Sequence, residues 1–129
     1  SSNGAAGVDL GSGPALSDDL LSAFRFLSER PSGFGMMLIS PEKKVIYVSA
    51  VMEEVTGIRN DASIDQDISA VARDAAFISL IDDLTSRASM GSAVAEDMEF
   101  SGVNYKMECC SVGGATPKAF VITAGKIEG

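Results

Sequence analysis

The chain has 129 residues, of which 46% are hydrophobic, and a formal net charge of −8, so it suits one acidic domain with a real core rather than a disordered chain. The acidic excess argues against a nucleic-acid or anionic-membrane partner, and the apolar runs are too short to cross a membrane. Histidine is absent, which removes the most frequent metal ligand, the usual general base of enzymes and the usual proximal haem ligand.

The N-terminal part of the chain divides into a tail and an amphipathic helix. Residues 1–16 are mostly glycine, serine and alanine, a composition typical of a flexible tail. A helix is predicted within residues 17–31, because Ser17 can cap it, acids follow in its first turn, and Pro31 ends it. Phe26 lies away from the centre of its apolar stripe. This stripe is a candidate for packing in cis or for a homodimer interface, and it consists of Leu20, Leu21, Phe24 and Leu27.

The stretch from Gly35 to Gly57 predicts a strand, a turn, a second strand and a short helix. Residues 36–39 are an apolar run too short for a helix, and Pro41 favours a turn over residues 40–44. Residues 45–48 are β-branched or aromatic, as is typical of a strand. Ser49 can cap the following helix, and Gly57 suits the left-handed position after it.

The rest of the chain predicts loops, a long helix and three strands. Residues 58–71 lack periodicity and indicate short helical turns and loops, and a long helix runs from near Asp74 to Met90. Strands follow over residues 93–100, from residue 103, and over residues 118–127, with turns at residues 101–102 and 113–117. Three aspartates lie in the polar loop before the long helix, without the glycine and glutamate of a calcium loop. We expect them to be solvated: Asp61, Asp65 and Asp67.

Three short pieces in the first half resemble the start of a PAS domain, namely residues 38–40, 45–49 and 53–57. The order of elements from residue 33 to residue 129 is also the PAS order, although the first turn lacks the usual aspartate and glycine and Ser49 replaces the more common asparagine. The resemblance implies an α+β fold, a five-stranded antiparallel sheet with its last strand beside the first, helices on one face, and an N-terminal flanking helix. It also implies a sensory or protein-interaction module that works with other domains of a larger signalling protein.

In the PAS family, the space between sheet and helices holds flavin, haem or a small metabolite, or is filled by side chains. The light-sensing flavin branch uses a cysteine on the middle helix, and no cysteine lies between Asp61 and Ser89. Haem bound through histidine is excluded by composition. We therefore expect no cofactor of these kinds, with noncovalent flavin, a small metabolite or a filled core left open. The alternative function is a ligand-free dimerisation module. An enzyme is disfavoured because no nucleophile and base pair is identifiable.

Eight mostly apolar residues form the candidate wall of a ligand pocket, although such stripes are more often plain core. They are Met52, Val55, Ile58, Phe77, Ile81, Tyr105, Met107 and Cys109. The tyrosine is the most informative of them, because a buried hydroxyl needs a hydrogen-bond partner, either a ligand or a backbone carbonyl.

The two cysteines are neighbours in a predicted strand, so their side chains point to opposite faces. Alternation with Tyr105 and Met107 places Cys109 inward and Cys110 outward, and we expect only Cys110 to be exposed. A disulfide between neighbours would distort the chain, and the spacing of a metal site is absent. Two reduced thiols favour a cytoplasmic location.

Overall fold

The computed structural model describes residues 23, 26–30, 32–113 and 116–127. The strands are β1 (Gly35–Ile39), β2 (Val45–Val48), β3 (Val94–Phe100), β4 (Val103–Val112) and β5 (Ala119–Lys126). The helices between them are α1 (Ala50–Thr56), α2 (Asn60–Ser63), α3 (Ile68–Val71) and α4 (Ala75–Ala88). Residues 26–28 are also helical. Two strands, several helices and three strands therefore follow one another as the sequence predicts.

The strands form one antiparallel sheet of five strands in the order β2-β1-β5-β4-β3. Strand β5 lies between β1 and β4, so the first and last strands pair, as the resemblance implies. The turn between β3 and β4 has φ values of 51° at Ser101 and 81° at Gly102. Positive φ at both central residues suits the twist of a tight hairpin. The predicted α+β architecture is confirmed.

Local sequence signals explain the connection from β1 through β2 to α1. In the first turn, the Lys43 N–H donates to the Ser40 carbonyl at 2.8 Å, with the proline in the second position. Ser49 begins α1, and its Oγ accepts a hydrogen bond from the Met52 N–H at 3.2 Å. Gly57 ends the helix with φ of 79°, a conformation that glycine adopts without strain. Both predicted helix boundaries are confirmed.

Aspartates begin helices α3 and α4. The Asp67 carboxylate accepts hydrogen bonds from the Ser69 hydroxyl at 2.7 Å and from the Ser69 N–H at 2.9 Å at the start of α3, and these two bonds lower the pKa of Asp67. Asp74 accepts from the Ala76 N–H at 2.9 Å at the start of α4. Across the described ranges, no group of acidic and cysteine side chains is arranged to hold a metal ion, and no helix is long and apolar enough to cross a membrane.

The sheet has apolar side chains on both faces. The inner core lies between the sheet and the helices, and sixteen of the buried hydrophobic residues that the structure describes belong to it. Helix α1 packs there on β1 and β5, and α4 packs on β3 and β4. The outer cluster lies on the opposite face. It consists of Phe26, Cys110 and Val121, with Leu27, Met36, Leu38 and Val112 at its margin.

The prediction that Cys110 is exposed is wrong, because only 9% of this residue is exposed. Phe26, which lies away from the centre of the predicted stripe, is 7% exposed. The alternation along β4 was correct, but the chain covers its outer face with its own N-terminal segment, and Phe26 is the residue that packs there. Leu27 is half-buried beside it. The other three predicted interface residues and the predicted tail lie outside the described residues.

Candidate functional site

The eight candidate pocket residues come together in the inner core. Six of them are at most 2% exposed, namely Met52, Ile58, Phe77, Ile81, Met107 and Cys109. Val55 and Tyr105 are partly buried and pack against the same cluster. The set is therefore contiguous and joins α1 and α4 to β4. Its role as the wall of a ligand site stays a prediction.

A chain of aromatic rings links α4 to the hairpin of β3 and β4. The rings of Phe77 and Phe100 meet edge to face with centroids 5.6 Å apart, and those of Phe100 and Tyr105 do so at 5.9 Å. Phe100 is absent from the predicted pocket, although its alternation with Val94 and Met98 in β3 is the signal that places it inward. Tyr105 is only half-buried, so the premise that its hydroxyl needs a partner inside the core is not met.

Ser49 connects α1 to the first strand. Its Oγ accepts a hydrogen bond from the Met36 N–H at 2.9 Å as well as the capping bond from Met52. Its own N–H donates to the Met36 carbonyl at 2.8 Å. One small side chain therefore satisfies backbone donors of both a strand and a helix, which fixes the distance between β1 and α1.

A second set of hydrogen bonds connects α1, α2 and β2. A Glu53 carboxylate oxygen accepts from the Asn60 N–H at 2.7 Å, and the Asn60 side-chain oxygen accepts from the Val48 N–H at 2.8 Å. Arg59 lies 3.8 Å from the same carboxylate. These contacts hold the helical wall of the candidate site in place at the sheet edge that β2 forms.

Comparison by sequence finds no family profile and no curated protein that matches this chain. Comparison by structure finds a domain of an HTR-like protein from Haloarcula marismortui, with a TM-score of 0.62 and 19% identity over 75% of this chain and 100% of that one. The sensory box sensor histidine kinase from Vibrio cholerae matches with a TM-score of 0.60 and 12% identity over 87% of this chain and 98% of that one. The RpfR quorum-sensing receptor PAS domain from Cronobacter turicensis, in complex with BDSF, matches with a TM-score of 0.56 and 11% identity over 78% of this chain and 99% of that one.

This chain has a PAS fold. The matches extend over nearly the whole of each solved domain. The similarity therefore includes the complete sheet and its helices. The identities in these three domains are 11–19%, so the likeness is one of fold.

The two thiols of this PAS fold occupy opposite layers. Cys109 is fully buried in the inner core, and burial raises the pKa of its thiol to about 12. Burial in the outer cluster also raises the pKa of Cys110, with the nearby positive charge of Arg30 acting in the opposite direction. Both cysteines are free thiols. Because the thiolate is the reactive form, neither is a ready nucleophile at neutral pH.

A cavity of about 240 Å³ lies on the outer side of the PAS sheet, away from the candidate pocket. Its walls are entirely apolar and come from the N-terminal segment and from β1, β4 and β5. They consist of Ala23, Leu27, Met36, Leu38, Val112, Ala119 and Val121. This open space adjoins the outer cluster, where the sequence-based pocket has no member.

Proposed function

We propose that this chain is a sensory or protein-interaction module of a larger signalling protein and that it acts by repacking its helices against its sheet. The observation that carries the proposal is the complete PAS fold with one contiguous inner core. Similar folds occur in a sensor histidine kinase and a quorum-sensing receptor. The proposal includes no catalysis, because the chain has no histidine and both thiols are buried. We also propose that the module is cytoplasmic and that it contacts other domains of the same protein.

Three methionines at the centre of the inner core support a packing that responds to a ligand. Met37 on β1, Met52 on α1 and Met107 on β4 are all 0% exposed. Unbranched thioether side chains repack around guests of different shape more readily than branched ones do. The RpfR PAS domain is solved with BDSF and with C12:0. For this chain we infer a small, largely apolar organic ligand between helices and sheet, whose entry shifts α1 relative to β1.

Extraction of small molecules from the purified protein tests whether it binds a ligand. The protein is denatured, the released molecules are identified by mass spectrometry, and an absorption spectrum is recorded before denaturation. We expect a small organic molecule in a constant ratio to protein and no Soret band. Ile81→Trp fills the inner core and should abolish the yield, while Ile46→Trp adds the same bulk at a residue that is 44% exposed and should not.

Two outcomes of this experiment would contradict the proposal. If repeated preparations release nothing, and neither C12:0 nor a free flavin raises the midpoint of thermal unfolding, ligand sensing is rejected. Equal yields from Ile81→Trp and wild type would place the bound molecule outside the inner core.

The outer cavity favours a second candidate function, a ligand-free dimerisation module with a filled inner core. Its wall includes Leu27, one of the four predicted interface residues. In a homodimer, the remaining stripe residues of a second copy would cover this cavity and bury apolar surface on both partners. Light scattering distinguishes this candidate, because a protein that stays monomeric at high micromolar concentration is not a dimerisation module.

A further inference from the structure

The two edges of the sheet differ in what covers their backbone. At the β2 edge, the Val45 N–H donates to the Gln66 carbonyl at 2.9 Å, and the Val45 carbonyl accepts from the Asp65 N–H at 2.8 Å. The Val48 N–H donates to the Asn60 side-chain oxygen at 2.8 Å. The segment that follows α1 therefore occupies this edge, where a further strand would have to bind.

The β3 edge has no such cover in the part of the chain that the structure describes. Glu99 lies opposite Asn104 of β4, and the Asn104 carbonyl accepts from the Ile127 N–H, on the side of β5. Glu99 and Asn104 are therefore a non-hydrogen-bonded pair, and the backbone N–H and C=O of Glu99 face away from the sheet. The same alternation turns the backbone groups of Asp97 and Ala95 outward. No described residue bonds to these groups, which we name the open edge. Such an edge is a template for one more strand.

The outer face of the open edge is acidic. Asp97 and Glu99 are exposed there, and neither forms an ion pair with a residue that the structure describes. Lys106 lies opposite Asp97 in β4, on the side away from the open edge. A strand added at the open edge would therefore place its outer side chains beside these two carboxylates.

The inner face of the same edge is mainly apolar. Met98 and Phe100 are half-buried there and pack against the inner core. Glu96 points the same way, but its carboxylate already accepts a hydrogen bond from Arg87 of α4 at 2.7 Å. Successive side chains of a strand point to opposite faces. A strand that alternates basic and apolar side chains therefore matches both faces at once.

Two other occupants of the open edge do not match its charge. A second copy of β3 that pairs about Asp97 sets this carboxylate against its own copy, and pairing about Glu96 does the same for Glu96. Like charges directly opposite each other destabilise a sheet. Residues 1–22 of this chain contain three aspartates and no lysine or arginine, so they would also bring acid to acid.

We propose that the open edge binds an extended segment of a partner protein in which basic residues alternate with apolar ones. The backbone of this segment bonds to Ala95, Asp97 and Glu99, its basic side chains lie beside the two exposed acids, and its apolar side chains lie beside Met98 and Phe100. The net charge of −8 attracts such a segment to the domain. This interaction adds a partner to the proposed signalling module but requires neither a ligand nor a dimer, so its failure would leave the proposed function standing.

Binding of a synthetic strand tests the proposal. The probe is a fluorescent peptide of about eight residues that alternates lysine and valine, and fluorescence anisotropy measures its affinity for the full chain. We expect saturable binding that weakens with added salt, and slower hydrogen exchange of the Ala95, Asp97 and Glu99 amides. Two further peptides carry N-methyl groups on one or the other alternate set of residues. Only one set faces the open edge, so the affinities of these two peptides should differ about 10-fold or more.

Two double variants with the same net charge make the result decisive. Asp97→Lys with Glu99→Lys reverses the acids of the open edge and should weaken binding of the unmethylated peptide about 10-fold or more. Glu42→Lys with Glu54→Lys makes the same charge change at exposed residues elsewhere and should weaken it much less. Equal losses in the two variants, or equal affinities of the two methylated peptides, would reduce the interaction to attraction by net charge and overturn the proposal. Absence of binding at about 1 mM peptide would overturn it as well.

Discussion

Gly35 lies so close to Met52 that a Cβ on the glycine would stand 3.0 Å from the Met52 Cα. The contact joins the start of β1 to the third residue of α1, and a side chain at residue 35 would require the α1 backbone to move by a few tenths of an ångström. The same pair of elements is connected by the Ser49 hydroxyl. The position of α1 on the sheet is therefore set by a backbone approach and one polar side chain, in addition to apolar packing.

Gly35→Ala should destabilise the domain by about 1–3 kcal/mol, because the added methyl group meets backbone atoms of α1 that cannot rotate away. Gly35→Ser should cost at least as much. Urea unfolding followed by circular dichroism measures both. Ser32→Ala, at an exposed residue just before, is the control and should change little. Wild-type stability in Gly35→Ala would mean that β1 and α1 are further apart than described.

Ser49→Ala should lower the free energy of unfolding by about 1–2 kcal/mol, since it removes the acceptor of two backbone N–H groups and the cap of α1. The control is Ser79→Ala, at an exposed residue within α4. Hydrogen exchange of the Met36 and Met52 amides adds a local measurement, and both should exchange faster in Ser49→Ala. Unchanged exchange at Met36 would show that the hydroxyl caps the helix only.

The pKa of Cys109 predicts how stability depends on pH in alkaline solution. Burial keeps this thiol protonated in the folded protein up to about pH 12, whereas it ionises near 9.0 in the unfolded chain. Its contribution is therefore complete below about pH 9 and is lost as pH rises toward 12, because only the unfolded state releases the proton in that window. Near pH 10 the loss should be about 1 kcal/mol per pH unit.

Comparison with Cys109→Ala isolates this effect, because every other titratable group is present in both proteins. The free energy of unfolding of wild type should fall more steeply than that of the variant between pH 8 and pH 10.5 in denaturant titrations. Parallel curves would mean that the Cys109 thiol ionises as easily in the folded as in the unfolded protein.

Charges on the predicted N-terminal stripe should abolish self-association. The double variant Leu20→Glu with Phe24→Glu places two acids where an interface core would exclude them. Light scattering at high micromolar concentration should show a dimer for wild type and a monomer for the variant. Ala75→Glu with Ala76→Glu adds the same charge at exposed residues of α4 and should remain dimeric. A stripe variant that still dimerises would move the interface elsewhere.

Much of the candidate site was predictable because local rules govern it. A capping serine, a proline in a turn, a glycine at a helix end and strict alternation in β4 act over a few residues, and each appears where the sequence indicates it. Alternation alone was enough to separate Cys109 from Cys110 and to place Tyr105 and Met107 on the same face as Cys109. Phe100 was missed although the same rule reaches it, because the alternation of β3 is less regular.

By itself, the sequence determined which face of each strand is apolar, where the turns lie and that histidine chemistry is not available. Only the tertiary structure decided what covers the outer face. Phe26 and Arg30 meet Cys110 and Glu108 across about 80 residues of chain, and no periodicity in either segment encodes that pairing. Burial depends on all elements that pack on a residue. Alternation could therefore point Cys110 outward without revealing that the chain returns to bury it.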